Sequence, residues 1–384
     1  MPPSPIPHIH RALDLAALLR RKSHFLFGPR QTGKTTLIRD ALPSVRSYDL
    51  LDSSVYLALA RDPGRIAAEL DAHTKYVAVD EIQRLPELRN EVQRLIERRG
   101  IHFLLTGSNA RKLRAGGVNV LGGRARTKHL HPLTYGELGS RFDLARAIER
   151  GTIPSIYFSD DPSADLDAYA GTYLQQEIVA EGATRNAPAF SRFLRVAALC
   201  NATIVNFTNM ANDAQVPRTT AYEYFEILKD TLVLHELPAL TKSARRKPIV
   251  SPKYYFFDVG VASLLQGRAV RAGTPEFGAA FETYVMHELT AWSDYQSGAE
   301  LRYWRTTSDF EVDFILGDHT AVEAKATATV SGNDLKGLQA VAEERKLKRL
   351  LCVSLEARRR TVGKVVVLPW KEFFDNLWSG AYTA

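Results

Sequence analysis

The chain has 384 residues, 45% hydrophobic and 24% charged, enough for two to four domains with buried cores and too balanced for a disordered or fibrous protein. Fifty Lys and Arg against 43 Asp and Glu leave a net charge of +7, a mild basic bias that permits a polyanionic partner without demanding one. Cys200 and Cys352 stand far apart and outside any CxxC or Cys/His spacing, which excludes a disulfide framework and a zinc module and predicts a reducing, cytoplasmic setting.

At the start of the chain, Arg11 and Asp14 flank and interrupt a short apolar run, a pattern that predicts an amphipathic helix and not a signal peptide. No run reaches membrane-spanning length, so no membrane partner is expected. Residues 28–36, GPRQTGKTT, match the pattern GxxxxGK[ST]. The apolar residues before them predict a buried strand and the residues after Thr35 a helix, the context in which such a loop binds phosphate. Gly28, Pro29, Arg30, Gln31, Thr32, Gly33, Lys34, Thr35 and Thr36 then form a cradle for ATP. Lys34 reaches the β and γ phosphates and Thr35 ligates Mg²⁺. The plainer alternative is an ordinary glycine turn.

Residues 76–81, YVAVDE, predict a strand ending in two carboxylates. Asp80 is placed to hold Mg²⁺ and Glu81 to activate the attacking water, which points to hydrolysis and not binding alone. Taken by itself, the segment is equally a strand that ends in acids. A third strand, residues 101–105, runs into Thr106, Gly107, Ser108 and Asn109, small polar groups at the carboxyl end of a buried strand, where open α/β sheets bind ligands. Asn109 or Ser108 is the expected γ-phosphate sensor. Arg111, Arg114, Arg124 and Arg126 follow; Arg124, in LGGR, is the choice for an arginine finger, acting in cis or from a neighbouring subunit of a homo-oligomer, against the alternative of a solvated basic loop. Strands alternating with helices from residue 23 to about 133 predict a mostly parallel sheet covered on both faces.

From residue 138 to about 199 the apolar spacing is helical and predicts a lid or connector. Residues 206–213 and 217–229 predict a helix-turn-helix with Tyr222, Phe225 and Leu228 on one face of its second helix, and residues 231–237 a strand. The next segment, TKSARRKPIVSPK, has five basic residues and no acidic one, as a wing along a nucleic-acid backbone would. Glu223 and Glu226 oppose that reading, and such modules also serve as protein contacts.

Residues 310–316 and 320–325 predict two strands joined by Gly317, Asp318 and His319. In that register Asp313 lies opposite Glu323, with Cβ atoms roughly 5 Å apart, and Glu323 and Lys325 share a face. Opposed carboxylates repel, and a divalent cation between Asp313 and Glu323 turns that cost into binding. Lys325 is then placed to orient water or stabilise phosphate charge, and Glu282, on a preceding helix with a Phe281, Val285 and Leu289 stripe, to add a ligand through water. The plainer alternative is a surface hairpin of mixed charges.

The element order from Glu282 to residue 354 resembles the αβββαβ core of restriction-endonuclease-like domains with a PD-(D/E)xK motif, here D…ExK. Basic residues at 346, 348, 349, 358–360 and 364 suit a phosphate-binding surface. The segments FLFGPRQTGKTTLI, VAVDEIQRLPEL, LLTGSNARKL, LGGR, YYFFDVGVASLL, FETYVMHEL, YWRT, EVDF and VEAK together resemble prokaryotic AAA-type ATPases of the archaeal-ATPase-like group that carry such a C-terminal domain. One departure is Gln176 in YLQQEI, where relatives tend to have a basic residue before the acid. The resemblance implies an α/β P-loop NTPase core at 1–135, a helical lid at 136–200, a winged helix at 201–252 and a restriction-endonuclease-like domain at 253–384. The expected function is Mg²⁺-dependent ATP hydrolysis coupled to binding and cleavage of nucleic acid, DNA before RNA, by a catalytic set of Lys34 and Glu81 in one site and Glu282, Asp313, Glu323 and Lys325 in the other. The alternative is an ATP-driven switch or scaffold whose C-terminal domain binds DNA or protein without cutting.

Overall fold

The computed structural model describes residues 6–108, 120–174, 186–241 and 245–383, and these form two compact units: residues 10–131 with 230–232, and the rest. Asn109, Arg111, Arg114, Gln176 and Lys242 lie outside the described residues. Among those described, no helix is long and apolar enough to cross a membrane, and both cysteines are free thiols.

The first unit is built on a parallel sheet of β1 (Ser23–Phe27), β2 (Arg46–Asp49), β3 (Tyr76–Asp80), β4 (His102–Gly107) and β5 (Ala125–His129), in the order β2-β3-β4-β1-β5. β1 is buried along its whole length and β3 and β4 nearly so, which is why they read as unbroken apolar runs in the sequence. Phe25, Phe27, Val77, Val79, Phe103 and Leu105 form the core of one face. The strand order sets the carboxyl ends of β3, β4 and β1 side by side, with Phe27 paired to Gly107.

In the second unit, helices Phe207–Ala214 and Arg218–Asp230 are joined at Gln215, which adopts the left-handed conformation that ends the first helix. Asn206 caps that helix by accepting from the N–H groups of Thr208 and Asn209. The second helix buries Ala221, Tyr224, Phe225, Ile227 and Leu228. Tyr222 departs from the expected stripe: it is 53% exposed and meets Phe207 edge-on at 5.4 Å. Each step of three residues falls about 60° short of a full turn, so Tyr222 and Leu228 point about 120° apart. The strand expected from residue 231 starts later, as β7 (Leu234–Leu237), because Val233 N–H donates to the Leu228 carbonyl and closes the helix first. β7 pairs with β8 (Lys253–Phe256), which also pairs with the short β6 (Thr203–Ile204).

The basic segment before β8 is not a free wing throughout. Arg246 pairs with Glu343 at 2.6 Å and Glu344 at 2.9 Å and lies 5.0 Å from the Phe310 ring centroid, and Lys253 is buried. Intrachain acids claim both cations, which removes them from a nucleic-acid backbone.

The remaining sheet comprises β9 (Leu301–Arg305), β10 (Glu311–Leu316), β11 (Thr320–Lys325), β12 (Arg349–Ser354), β13 (Arg360–Val362) and β14 (Val365–Pro369), in the order β13-β14-β12-β11-β10-β9. β11, β12 and β14 are parallel; β9 and β10 run antiparallel to their neighbours and β13 to β14. Alternate residues face opposite layers. Phe314, Leu316, Val322 and Leu351 pack with helices Pro275–Trp292 and Trp370–Trp378, whereas Ile315, Ala321, Leu350 and Cys352 pack with helix Lys336–Glu344. Phe281, Val285 and Leu289 are fully buried, as their spacing predicts. β10 carries a bulge between Val312 and Ile315, and both of those residues join the same layer, where plain alternation would split them.

Candidate functional site

Two chemically loaded sites stand in the chain, one in each unit. In the first, the loop after β1 approaches the chain so closely that a Cβ on Gly28 would lie 2.4 Å from the Leu130 carbonyl oxygen, and Gly33, at φ +90°, turns the chain into helix Lys34–Ala41. Both positions need glycine. The Lys34 ammonium donates to the carbonyls of Gly28 at 2.7 Å and Pro29 at 3.1 Å, bridging the loop. Thr32 Oγ1 donates to the Pro29 carbonyl at 2.8 Å, and Gln31 adopts a left-handed conformation. Thr35 Oγ1 donates to Asp80 Oδ2 at 2.6 Å, joining the loop to the end of β3, and the Thr106 hydroxyl holds the other Asp80 oxygen.

Glu81 follows Asp80 at φ +59°, an uncommon conformation for a residue with a Cβ, and its backbone N–H donates to Thr106 Oγ1. Gln83 holds its carboxylate and also reaches Ser108 Oγ at 3.2 Å. Burial pushes the Glu81 carboxyl above its ordinary range, Lys34 and Arg30 oppose the shift, and Asp80 adds to it. A carboxyl held this way is suited to accept a proton from water. Arg124 donates to Glu97 at 2.7 Å. Thr36, beside Thr35 at the start of the helix, is exposed.

The second site gathers four carboxylates and two ammonium groups. Asp313 sits within the β10 bulge, and its Oδ2 accepts from the Ala324 N–H at 2.9 Å. The pairs Phe314 with Val322 and Leu316 with Thr320 give the register anticipated for Asp313 and Glu323. Glu323 is buried; its Oε1 meets Lys325 Nζ at 2.6 Å, and its Oε2 is buried with no partner. Burial, and then Asp313, push the Glu323 carboxyl well above its usual range. Burial alone would lower the Lys325 ammonium, but Glu323 and Asp313 hold it up. Glu282 receives the Tyr255 hydroxyl at 2.7 Å, and burial followed by Asp313 raises it to about 7.

The structure adds Lys253, Tyr255 and Glu311 to the residues expected here. Lys253 is buried between Glu282, at 3.4 Å, and Glu311, with its ammonium 5.5 Å from the Tyr303 ring centroid. Nothing local announces this placement, except that a lysine opening the apolar strand KYYF has to meet acids if it is buried. In the first site the sequence reading missed Gln83 and Arg11, whose guanidinium donates to the carbonyls of Thr32 and His131, each at 2.6 Å.

The carboxylates of the second site suit a divalent cation. Four carboxyl groups face the Lys253 and Lys325 ammonium groups and the Arg305 guanidinium, which pairs with Glu311 at 3.3 Å, and Glu323 Oε2 has no partner. Among the described residues no three His, Cys, Asp or Glu side chains form a ready cage. Asp313 and Glu323 are the residues able to hold a cation, its shell completed by water and phosphate as Mg²⁺ prefers.

Family comparison divides the chain into three segments. Residues 20–139 match the family described as AAA domain. Residues 141–271 and 277–373 match two domains of unknown function, DUF8612 and DUF4143. The first match supports a P-loop ATPase of the AAA type, with ATP binding and hydrolysis as its chemistry and Mg²⁺ as the usual partner ion. Along its length the chain is similar to the uncharacterized proteins Rv2008c of Mycobacterium tuberculosis and Mb2031c of Mycobacterium bovis. Each is 29% identical over 372 residues, covering 92% of this chain and 82% of the relative.

Two solved structures share weak likeness. One is a Signal Transduction ATPase with Numerous Domains (STAND) protein with a tetratricopeptide repeat sensor, PH0952 from Pyrococcus horikoshii: 13% identity, 76% of this chain and 48% of that one, TM-score 0.24. The other is Can2 from Sulfobacillus thermosulfidooxidans in complex with cyclic tetra-adenylate: 8% identity, 93% and 98% coverage, TM-score 0.21. At those scores neither carries an argument.

Proposed function

We propose that the protein is a Mg²⁺-dependent ATPase that couples nucleotide turnover to the binding and cleavage of nucleic acid, DNA before RNA, by its C-terminal domain. The observation that carries the second half is the buried cluster of Glu282, Asp313, Glu323 and Lys325, with one carboxylate oxygen left without a partner. In the first site, residues 28–36 cradle the phosphates, Lys34 exchanges its carbonyl partners for phosphate oxygens, and Glu81 orients water and takes its proton. Thr35 and Asp80 hold the cation, which supplies charge neutralisation at the phosphates. Arg124 is the proposed finger, in cis or across a homo-oligomer, and Asn109 or Ser108 the γ-phosphate sensor.

In the second site, Asp313 and Glu323 hold the cation, Glu282 reaches it through water, and Lys325 positions the attacking water or stabilises charge on the phosphate. The helix-turn-helix with β7 and β8 serves as a winged helix, and the β9-to-β12 portion of the sheet as a restriction-endonuclease-like core. The domains run over 1–135, 136–200, 201–252 and 253–384, and the setting is cytoplasmic.

A second reading, an ATP-driven switch whose C-terminal domain binds without cutting, is favoured by Lys253, an internal cation that already neutralises part of the acidic cluster. One experiment separates the two. Purified protein is incubated with single-stranded and duplex DNA and RNA, with and without ATP and Mn²⁺. Cleavage that Asp313→Ala removes while ATP hydrolysis persists supports cutting. ATP hydrolysis without cleavage of any substrate supports the switch, and hydrolysis that survives Lys34→Ala sinks the assignment of the first site.

A further inference from the structure

The basic end of the chain, which the carboxylate cluster does not use, forms a half-open cavity of about 300 Å³ lined by Lys348, Arg349, Arg359, Lys364, Asn376 and Tyr382 together with aliphatic side chains. Two polar atoms of the lining residues, Arg349 Nη1 and the Tyr382 hydroxyl, are buried without a hydrogen-bond partner. Tyr382 as a whole is only 5% exposed. Burial raises the Tyr382 phenol above its ordinary value and the neighbouring Asn376 partly offsets that, although its contact with the hydroxyl does not meet hydrogen-bond geometry. The Arg349 guanidinium lies 5.8 Å from the Tyr382 ring centroid, so the two orphan groups neighbour each other. Arg359 pairs with Glu372 at 3.2 Å, whereas Lys348 and Lys364 are exposed.

Buried donors without acceptors are rare because they are costly, and a surplus of cations beside them selects an anion. This place is separate from the acidic cluster. Arg349 opens β12 beside Thr320, whereas Lys325 lies beside Ser354 at the other end of the same strand pair, about 16 Å away by strand rise. Arg349 also shares its alternation with Leu351 and Val353, which pack in the layer opposite that of Cys352, the partner of Glu323.

The volume decides the size of the occupant. It lies at the small end of the roughly 300–1,000 Å³ typical of organic-ligand sites. Inorganic phosphate would leave the aliphatic side chains uncovered, and a recess with a buried phenol suits a compact ligand better than a continuous backbone. We propose that this cavity binds a small phosphorylated organic molecule of mononucleotide size, with its phosphate on Arg349, Lys348 and Lys364 and a hydrogen bond from Tyr382.

The test is calorimetric titration of the full chain carrying Lys34→Ala, which silences the first nucleotide site, using AMP and separately inorganic phosphate as probes. Saturable AMP binding is expected, at least tenfold tighter than phosphate. It should weaken at least tenfold with added Arg349→Met or Lys364→Met and about threefold with Tyr382→Phe. Lys364 is exposed, so its variant keeps the test independent of folding. No saturable AMP binding at millimolar concentration, or affinity unchanged in both the Arg349 and Lys364 variants, overturns the proposal. So does binding of a DNA oligonucleotide that depends on Lys364 while AMP does not bind, which would assign the cavity to nucleic acid.

Discussion

Glu288→Gln tests the electrostatics of the second unit at a residue to which neither proposed reaction assigns a role. Glu288 is fully buried on helix Pro275–Trp292 and receives the Tyr135 N–H and the Trp378 Nε1–H, each at 2.6 Å, and the Tyr284 hydroxyl. Burial raises its carboxyl to about 7, against an ordinary 4.5, and the three donors only partly offset that. Between those two values the folded chain keeps a proton that the unfolded chain has lost, so stability falls as pH rises through the window. From pH 5 to pH 8 the group contributes a loss of about 2.5 kcal/mol, at about 1.4 kcal/mol for each tenfold change in proton affinity.

The amide in Glu288→Gln has no proton to lose, so its stability should be flatter across that range by about 2.5 kcal/mol. At pH 5 it should be the less stable protein by about 1 kcal/mol, because its NH₂ group replaces one acceptor. All four tryptophans, Trp292, Trp304, Trp370 and Trp378, lie in the second unit, so urea unfolding followed by tryptophan fluorescence reports on that unit. Equal pH slopes in the variant and the parent would refute the reasoning.

Three further outcomes are expected. Glu81→Gln should keep nucleotide binding and lower the rate of ATP hydrolysis by roughly 10²- to 10⁴-fold, measured by phosphate release, because it removes the proposed base and not the phosphate cradle. Gly28→Ala should weaken nucleotide affinity and cost about 1–3 kcal/mol of stability in the first unit, as its methyl group would meet the Leu130 carbonyl; binding isotherms and thermal unfolding check it. Lys253→Met should destabilise the second unit by about 3–5 kcal/mol at pH 8 in the same fluorescence assay, since it leaves Glu282 without its buried cation while Glu311 keeps only Arg305.

What could be read in the sequence follows from how local each cause is. The phosphate loop is contiguous, and its context strands are buried on both faces, so GPRQTGKTT and the runs around it carried their own interpretation. The register of β10 and β11 was legible because a three-residue turn fixes it and side chains alternate with period two. Lys253 was not legible, since its partner Glu282 is 29 residues away and its own segment looks like a basic surface. Tyr222 misled because three-residue spacing drifts around a helix. β13, β14 and the last helix were not anticipated: β13 is a three-residue edge strand whose apolar content is too small to signal pairing. The orphan groups at Arg349 and Tyr382 depend on a meeting between a strand start and the chain end, and no pattern in either segment reports it.

The β10 bulge sets the aim of Asp313 by residue count more than by side-chain chemistry. One residue more than the partner strand needs is accommodated between Val312 and Ile315. Deleting a residue there would restore an even ladder and a cleaner hydrophobic alternation, and would also turn the carboxylate out of phase with Glu323. At this position a well-formed sheet and the proposed role of Asp313 pull in opposite directions. A chain improved only for folding would therefore shed the irregularity and, with it, the proposed chemistry.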